Sequence, residues 1–389
     1  MALQSSGAIS IKNVQDEFSP TGGTGDAGIK FSEYYKNGNI IANDLVGGSI
    51  PNSGPISLSQ FRGAMDYREV TIPSSNQYVH SNLKTLAINN GYDGTNPVRV
   101  TINSGYHIAT DTGNYGMRTG EFDSELKVTN KAYIMGKGGN GGGGRNSLSN
   151  GNNGAGGGAA LKLDCPVTSW TNSGNGAVVG GGGGGGSGRR RGDPGGFSAA
   201  GGGGGAGGGN GGLARSNSGT TSGGAGSDDP RSGNKNNRSE IGGQIPRSRG
   251  IDGAKRDSAA GSAENQDVRG RGGTAGGGGG GWGRDVNKAG NTSTATTGSG
   301  GGGGRRYPGS AGSSNTNDTA TSGGSGGTTG AGGSGAANPS TAGGGGGWGK
   351  AGGAGMNTNG GAGGKSVIKS NHYFGVSNTD RFAGSISNT

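Results

Sequence analysis

The chain has 389 residues, of which 103 are glycine, 26% are hydrophobic and 5% aromatic, with a formal net charge of +10. Apolar residues are too few, and too concentrated at the two ends, for the two or three cores a chain of this length normally builds. A single cysteine, Cys165, excludes an intrachain disulfide framework and a cysteine zinc site. No run approaches the roughly 20 apolar residues of a membrane span.

Residues 1–66 carry a short repeat: Ile9-Ser10-Ile11-Lys12-Asn13-Val14, then Ile29-Lys30-Phe31-Ser32-Glu33-Tyr34-Tyr35, then Ile56-Ser57-Leu58-Ser59-Gln60-Phe61-Arg62-Gly63. Each copy reads as a half-buried strand running into a turn or short helix, with Ser32 and Ser59 suited to capping it. A unit this small buries little by itself. We therefore expect Ile29, Phe31, Tyr34, Ile56, Leu58 and Phe61 to dock on another chain. The start of the chain lacks the basic and apolar regions of a secretory signal, which predicts synthesis in the cytoplasm and no membrane insertion.

Residues 67–136 alternate apolar and polar side chains at Val70 and Ile72, at Val98, Val100 and Ile102, and at Leu126 and Val128, which predicts β structure with a conventional core. Residues 137–364 are the glycine region, with uninterrupted runs at 141–144, 180–186, 201–205, 276–281, 300–304 and 343–347. Polar stretches rich in Asn, Ser, Thr and Arg lie between them. A flexible linker would mix glycine with serine throughout; here glycine blocks and varied blocks take turns. Residues 365–389 return to alternation and read as a closing β segment.

Ordered glycine costs about 0.5–1 kcal/mol per residue relative to alanine in regular structure. Polyproline-II-like helices, with three residues per turn and a rise of about 3.1 Å, can offset that through interchain backbone hydrogen bonds, because no side chain keeps them apart. The run 180–186 would then span roughly 22 Å. Collagen is excluded by the lack of a Gly-X-Y period. The expected fold is mainly β with a polyglycine-II bundle: an attachment region, a β neck, and a sandwich of glycine helices with variable loops.

Chemical motifs are few. Gly363-Gly364-Lys365-Ser366 resembles the end of a P-loop, but the first glycine of that pattern would fall on Asn359. His80, His107 and His372 have no metal-binding spacing, and no nucleophile–base–acid signature appears, so neither an enzyme nor a metal or cofactor site is expected. Arg191-Gly192-Asp193 is a chance integrin tripeptide. Arg269-Gly270-Arg271-Gly272-Gly273 resembles one RGG box, but most glycine blocks contain no arginine, so RNA binding is a minor alternative and no nucleic-acid partner is expected. The arginines cluster between glycine blocks, where they serve solubility or contact phosphates and carboxylates of a cell envelope. Gly281-Trp282-Gly283 and Gly347-Trp348-Gly349 end glycine runs at the same offset, so the indoles either cover the bundle's end or anchor a receptor.

The motif Ile56-Ser57-Leu58-Ser59-Gln60-Phe61-Arg62-Gly63 is similar to an attachment motif near the start of phage tail proteins. The stretch Gly363-Gly364-Lys365-Ser366-Val367-Ile368, leading to Arg381-Phe382-Ala383-Gly384-Ser385-Ile386, resembles the close of glycine-rich tail-tip proteins. The whole layout resembles the receptor-binding adhesins of T-even-like long tail fibres. That resemblance implies a virion protein of the distal tail, docked on other phage tail proteins through residues 1–66. It also implies loops that bind a host outer-membrane protein or envelope glycan. The candidate receptor-binding residues are Arg189, Arg190, Arg191, Arg231, Arg247, Arg249, Trp282, Arg305, Arg306, Tyr307 and Trp348. A purely structural tail-tip role is the alternative, and one copy or a homotrimer are both open.

Overall fold

The computed structural model describes residues 3–4, 6–18, 34–35, 48–64, 67–144, 151–188, 198–199, 201–212, 214–216, 219–221, 269–270, 314–315, 342–355, 358–377, 379 and 381–388. In the N-terminal lobe, helix α1 (Ile11–Phe18) turns Val14 and Phe18 onto Tyr34, Ile50, Phe61 and Ala64. A 3-10 turn at Leu58–Phe61 is closed by the Gln60 Oε1, which accepts from the Ser57 amide at 2.7 Å. The residue before this turn is Ser57, and Ser59, expected as the cap, lies within it.

The lobe is a core of its own rather than an apolar face held open. Tyr34 and Phe61 are 1% and 0% exposed, while Ile56 and Leu58 are partly buried against them. Two aromatic rings packed on Phe61, Phe18 tilted at 54° and Tyr34 edge-on, suffice to close so small a unit. Ile29 and Phe31 lie outside the described residues.

From residue 68 the chain winds into five coils, each supplying one strand to each of three parallel sheets. Coil one is β1 (Arg68–Ile72), β2 (Ser75–Val79) and β3 (Ser81–Asn82), followed by helix α2 (Leu83–Asn89), which Asn82 caps by accepting from the Thr85 amide. Coil two is β4 (Val98–Ile102), β5 (Gly105–Ile108) and β6 (Met117–Arg118). Coil three is β7 (Leu126–Asn130), β8 (Tyr133–Met135) and β9 (Leu161–Lys162). Coil four begins with β10 (Val167–Asn172) and β11 (Ala177–Val179). Five short antiparallel strands intervene: β12 (Ser198–Ala199), β13 (Ala214–Ser216), β14 (Gly219–Thr221), β15 (Arg269–Gly270) and β16 (Ser314–Asn315). The coil is then completed by β17 (Val367–Ile368), and coil five is β18 (Phe374–Val376), β19 (Phe382–Ala383) and β20 (Ile386–Ser387).

The period-two pattern places one column of each sheet inside. Val70, Val100, Val128, Trp170 and Val376 stack in register in the first sheet, and Met117, Leu161, Val367 and Ile386 in the third. Outside, Thr71, Thr101, Thr129 and Thr171 form a ladder, where β-branched side chains suit an exposed pleated surface.

The β structure therefore does not stop at residue 136. Strands β9, β10 and β11 fall inside the range expected to be glycine region, and the C-terminal segment supplies the last coil of the same sheets. Leu161, Leu163, Val167, Trp170 and Val178 carry the alternation there; all are fully buried.

The described glycine segments leave this prism at one corner, between its second and third sheets. That corner is His80 alone in coil one, residues 109–116 in coil two, 136–160 in coil three and 180–366 in coil four. Eight extended segments run to and fro from it: rods 1 to 8 at 136–144, 151–160, 180–188, 201–206, 207–212, 342–348, 349–355 and 358–366.

Rod 3 lies at the centre. The amides of Gly181, Gly184 and Ser187 donate to rod 2 (Gly158, Ala155, Asn152) at 2.8–3.2 Å, those of Gly182 and Gly185 to rod 4, and those of Gly183 and Gly186 to rod 7. Its carbonyls accept with the same period of three, from Gly139 and Gly142 of rod 1, from Gly343 and Gly346 of rod 6, and from Gly361 and Gly364 of rod 8. Six neighbours thus satisfy one rod, which answers where the backbone groups of a segment without sheet or α-helix find partners. A Cβ at any position from 180 to 185 would collide with a backbone carbonyl, which is why the central run is unbroken glycine. Peripheral rods need glycine where they face the centre or one another, as at Gly139 and Gly343; Ala155, Ala351, Ala354, Asn359 and Ala362 occupy outward, exposed positions.

Candidate functional site

The rods fix two ends of the bundle. At the prism end, Trp348 closes rod 6 before the chain reverses at Gly349, which has a positive φ of 63°. The indole is 3% exposed and packs with Ala206 on the outer column of the second sheet, formed by Ile108, Met135, Val179 and Ala383. Among the described residues its Nε1 has no hydrogen-bond partner. Trp348 thus covers the junction of bundle and prism, one of the two readings its flanking glycines allowed, and its 3% exposure leaves little surface for a receptor. An apolar sheet face needs a cover, and the large ring at a rod's end provides it.

At the other end the described residues stop in pairs: Gly144 and Gly151, Gly188 and Gly201, Gly212 and Ala342, Gly355 and Thr358. Four connections therefore join rods at this one end. Polar side chains finish the lattice here: Thr358 Oγ1 donates to the Ser187 carbonyl at 2.6 Å, Ser187 Oγ to the Asn152 carbonyl at 3.1 Å, and Asn153 Oδ1 accepts from the Asn359 amide at 2.8 Å. Sequence reasoning passed over these residues, though the hydroxyl and amide side chains at 152–153, 187 and 358–359 interrupt or flank the glycine tracts in the sequence.

Charge is concentrated, in sequence, in the segments between the rods. Segments 145–150, 189–200 and 213–341 together hold 18 Lys/Arg against 10 Asp/Glu, a net +8 of the chain's +10. Arg189, Arg190, Arg191, Arg231, Arg247, Arg249, Trp282, Arg305, Arg306 and Tyr307 belong to these segments and lie outside the described residues.

The titratable groups of the prism serve its fold. Burial alone would raise the Asp164 carboxyl, but the Arg118 side chain at 2.7 Å, the Gly120 amide and Lys162 outweigh it and hold it below its ordinary value. Burial drives His107 down to about 3, with Nδ1 2.8 Å from Ser81 Oγ and Tyr78 stacked on its ring. His80 bridges the corner loop of coil two, its ring nitrogens at Tyr115 O and Thr110 Oγ1. Among the described residues no cluster of His, Cys, Asp and Glu could hold a metal ion, and no helix is long and apolar enough to cross a membrane.

A coiled β-prism carrying a bundle of glycine rods, with basic segments between the rods in sequence, is matched by a known family. The model of the phage tail fibre adhesin Gp38 covers residues 68–275. The chain belongs to this family. It is a bacteriophage tail fibre adhesin, a virion component and not an enzyme. The matched range takes in coils one to three, β10, β11 and rods 1 to 5. No curated protein matches the adhesin's sequence. Among solved structures it is similar to the gp37-gp38 adhesin tip complex of the bacteriophage S16 long tail fibre, at 17% identity and a TM-score of 0.39, over 86% of this chain and 88% of that one.

Proposed function

We propose that this adhesin recognises a host cell-surface receptor through the segments that join its glycine rods at the end away from the prism. The observation that carries this reading is the coincidence of two asymmetries: four rod connections at one end, and a net +8 of charge in them. The scaffold is read as a polyglycine-II bundle, because hydrogen bonds with a period of three match a helix of three residues per turn. Such a lattice lets connections vary in sequence without touching the backbone core. Arg189, Arg190, Arg191, Arg231, Arg247, Arg249, Arg305 and Arg306 would contact phosphate or carboxylate groups, with Trp282 and Tyr307 as aromatic anchors. The receptor is an outer-membrane protein or an envelope glycan.

On this reading residues 1–66 are the attachment region, at the distal tip of the fibre. The S16 protein in the similar structure is complexed with gp37, which supports a tail-protein partner for the lobe. Since Tyr34 and Phe61 are used internally, docking would use outer side chains such as the exposed Ile11 and the partly exposed Ile56 and Leu58.

The test replaces residues 213–341 by a short Gly/Asn turn in the assembled phage. Loss of adsorption with retained virion assembly and prism stability is the expected result. Unchanged adsorption and host range would leave the bundle a spacer, a structural tail component without receptor contacts.

A further inference from the structure

The N-terminal lobe and the prism have separate apolar cores, which share no residue. Among the described residues no backbone hydrogen bond joins residues 3–64 to the strands that follow. Among these residues an ion pair does cross. Arg68, the first residue of β1, is held to the prism by its own amide, which donates to the Pro97 carbonyl at 2.7 Å. Its guanidinium reaches back to Glu17 Oε2 at 3.8 Å and sideways to Asp93 Oδ2 at 3.8 Å. Glu17 sits in α1 with a side chain only 1% exposed, so its carboxylate is aimed at the joint rather than at solvent. Asp93 is fixed in turn by the amides of Thr95 and Asn96.

We infer that this triad is an ionic latch that sets the angle between lobe and prism, and that the lobe pivots when Arg68 is neutralised. A polar joint between two independently cored units permits relative motion, whereas a shared apolar core would freeze it. A buried carboxylate beside the Arg68 guanidinium favours one angle of the joint, because turning the lobe away separates the pair. The latch would let the adhesin yield to load on the fibre and return. It is a property of the free chain and stands apart from what the lobe attaches to.

The test uses the full chain with spin labels at Lys12→Cys in α1 and Thr168→Cys in β10, Cys165 being buried. Double electron–electron resonance on the parent should give one narrow distance distribution. Arg68→Ala should at least double its width, Arg68→Lys should lie between, and Glu17→Gln should reproduce the alanine result. Circular dichroism confirms that each variant is folded. A parent distribution that is already broad, or an Arg68→Ala and Glu17→Gln pair as narrow as the parent, overturns the latch. Receptor and fibre binding are not read in this experiment, so its failure leaves the adhesive reading intact.

Discussion

The amide of Gly184 donates to the Ala155 carbonyl at 2.8 Å, while a Cβ on Gly184 would strike the carbonyl of Asn140 in the next rod. One residue thus needs glycine because two backbones close on it from different sides. Gly184→Ala should destabilise the bundle by about 3 kcal/mol or more, at the upper end of overpacking costs, since backbone rather than a flexible side chain must move. Gly156, in the same lattice, faces outward with its nearest obstacle, Ala362 O, at 3.6 Å. Gly156→Ala should be neutral or stabilise by about 0.4–1 kcal/mol through the unfolded chain. Thermal unfolding of the two variants checks the contrast, and equal effects would remove the lattice argument.

Trp348 joins the bundle to the prism through apolar contact, its Nε1 having no partner among the described residues. Trp348→Ala should cost about 3–5 kcal/mol by leaving a cavity at the junction. Trp348→Phe should cost markedly less, because the ring removed takes with it a buried donor that was never satisfied. Hydrogen exchange should show the loss first at Ala206 and Gly349, beside the indole, before the inner strands of the prism.

His107 is held neutral in the folded protein down to about pH 3 by burial, whereas an unfolded histidine titrates near 6.5. As pH falls below about 6.5 the unfolded chain binds a proton that the folded one refuses. Stability should therefore fall with decreasing pH across this window, by about 1.4 kcal/mol per pH unit from this residue, and the loss is complete near pH 3. His107→Gln should reduce the slope by about one proton in denaturant titrations between pH 7 and 4. An unchanged slope would mean that the ring is charged when folded.

Several features were legible because they are local. Alternation at Val98, Val100 and Ile102 marks a strand whatever its neighbours are, and the unbroken run 180–186 marks a segment that nothing but glycine can occupy. The same logic would have found Leu161, Trp170 and Val178, but these strands sit between glycine tracts and were absorbed into them. The role of Trp348 stayed open between two readings for a related reason. Its flanking glycines are common to a loop tip and to a rod's reversal, and the sheet face that it covers is built from residues far away in the chain on both sides, Ile108, Met135 and Val179 before it and Ala383 after it.

Composition by itself determined that the core could not be made of side chains alone, and that glycine and arginine would occupy alternating blocks. Only the tertiary structure decided that five coils stack in register, that the glycine segments leave at one corner, and that the connections of the rods gather at the opposite end. The reason is physical: glycine carries no side-chain pattern by which one tract could specify another. Its register is instead set from outside, by strands β8, β9, β11 and β17, whose apolar columns hold the rods' roots a strand's width apart.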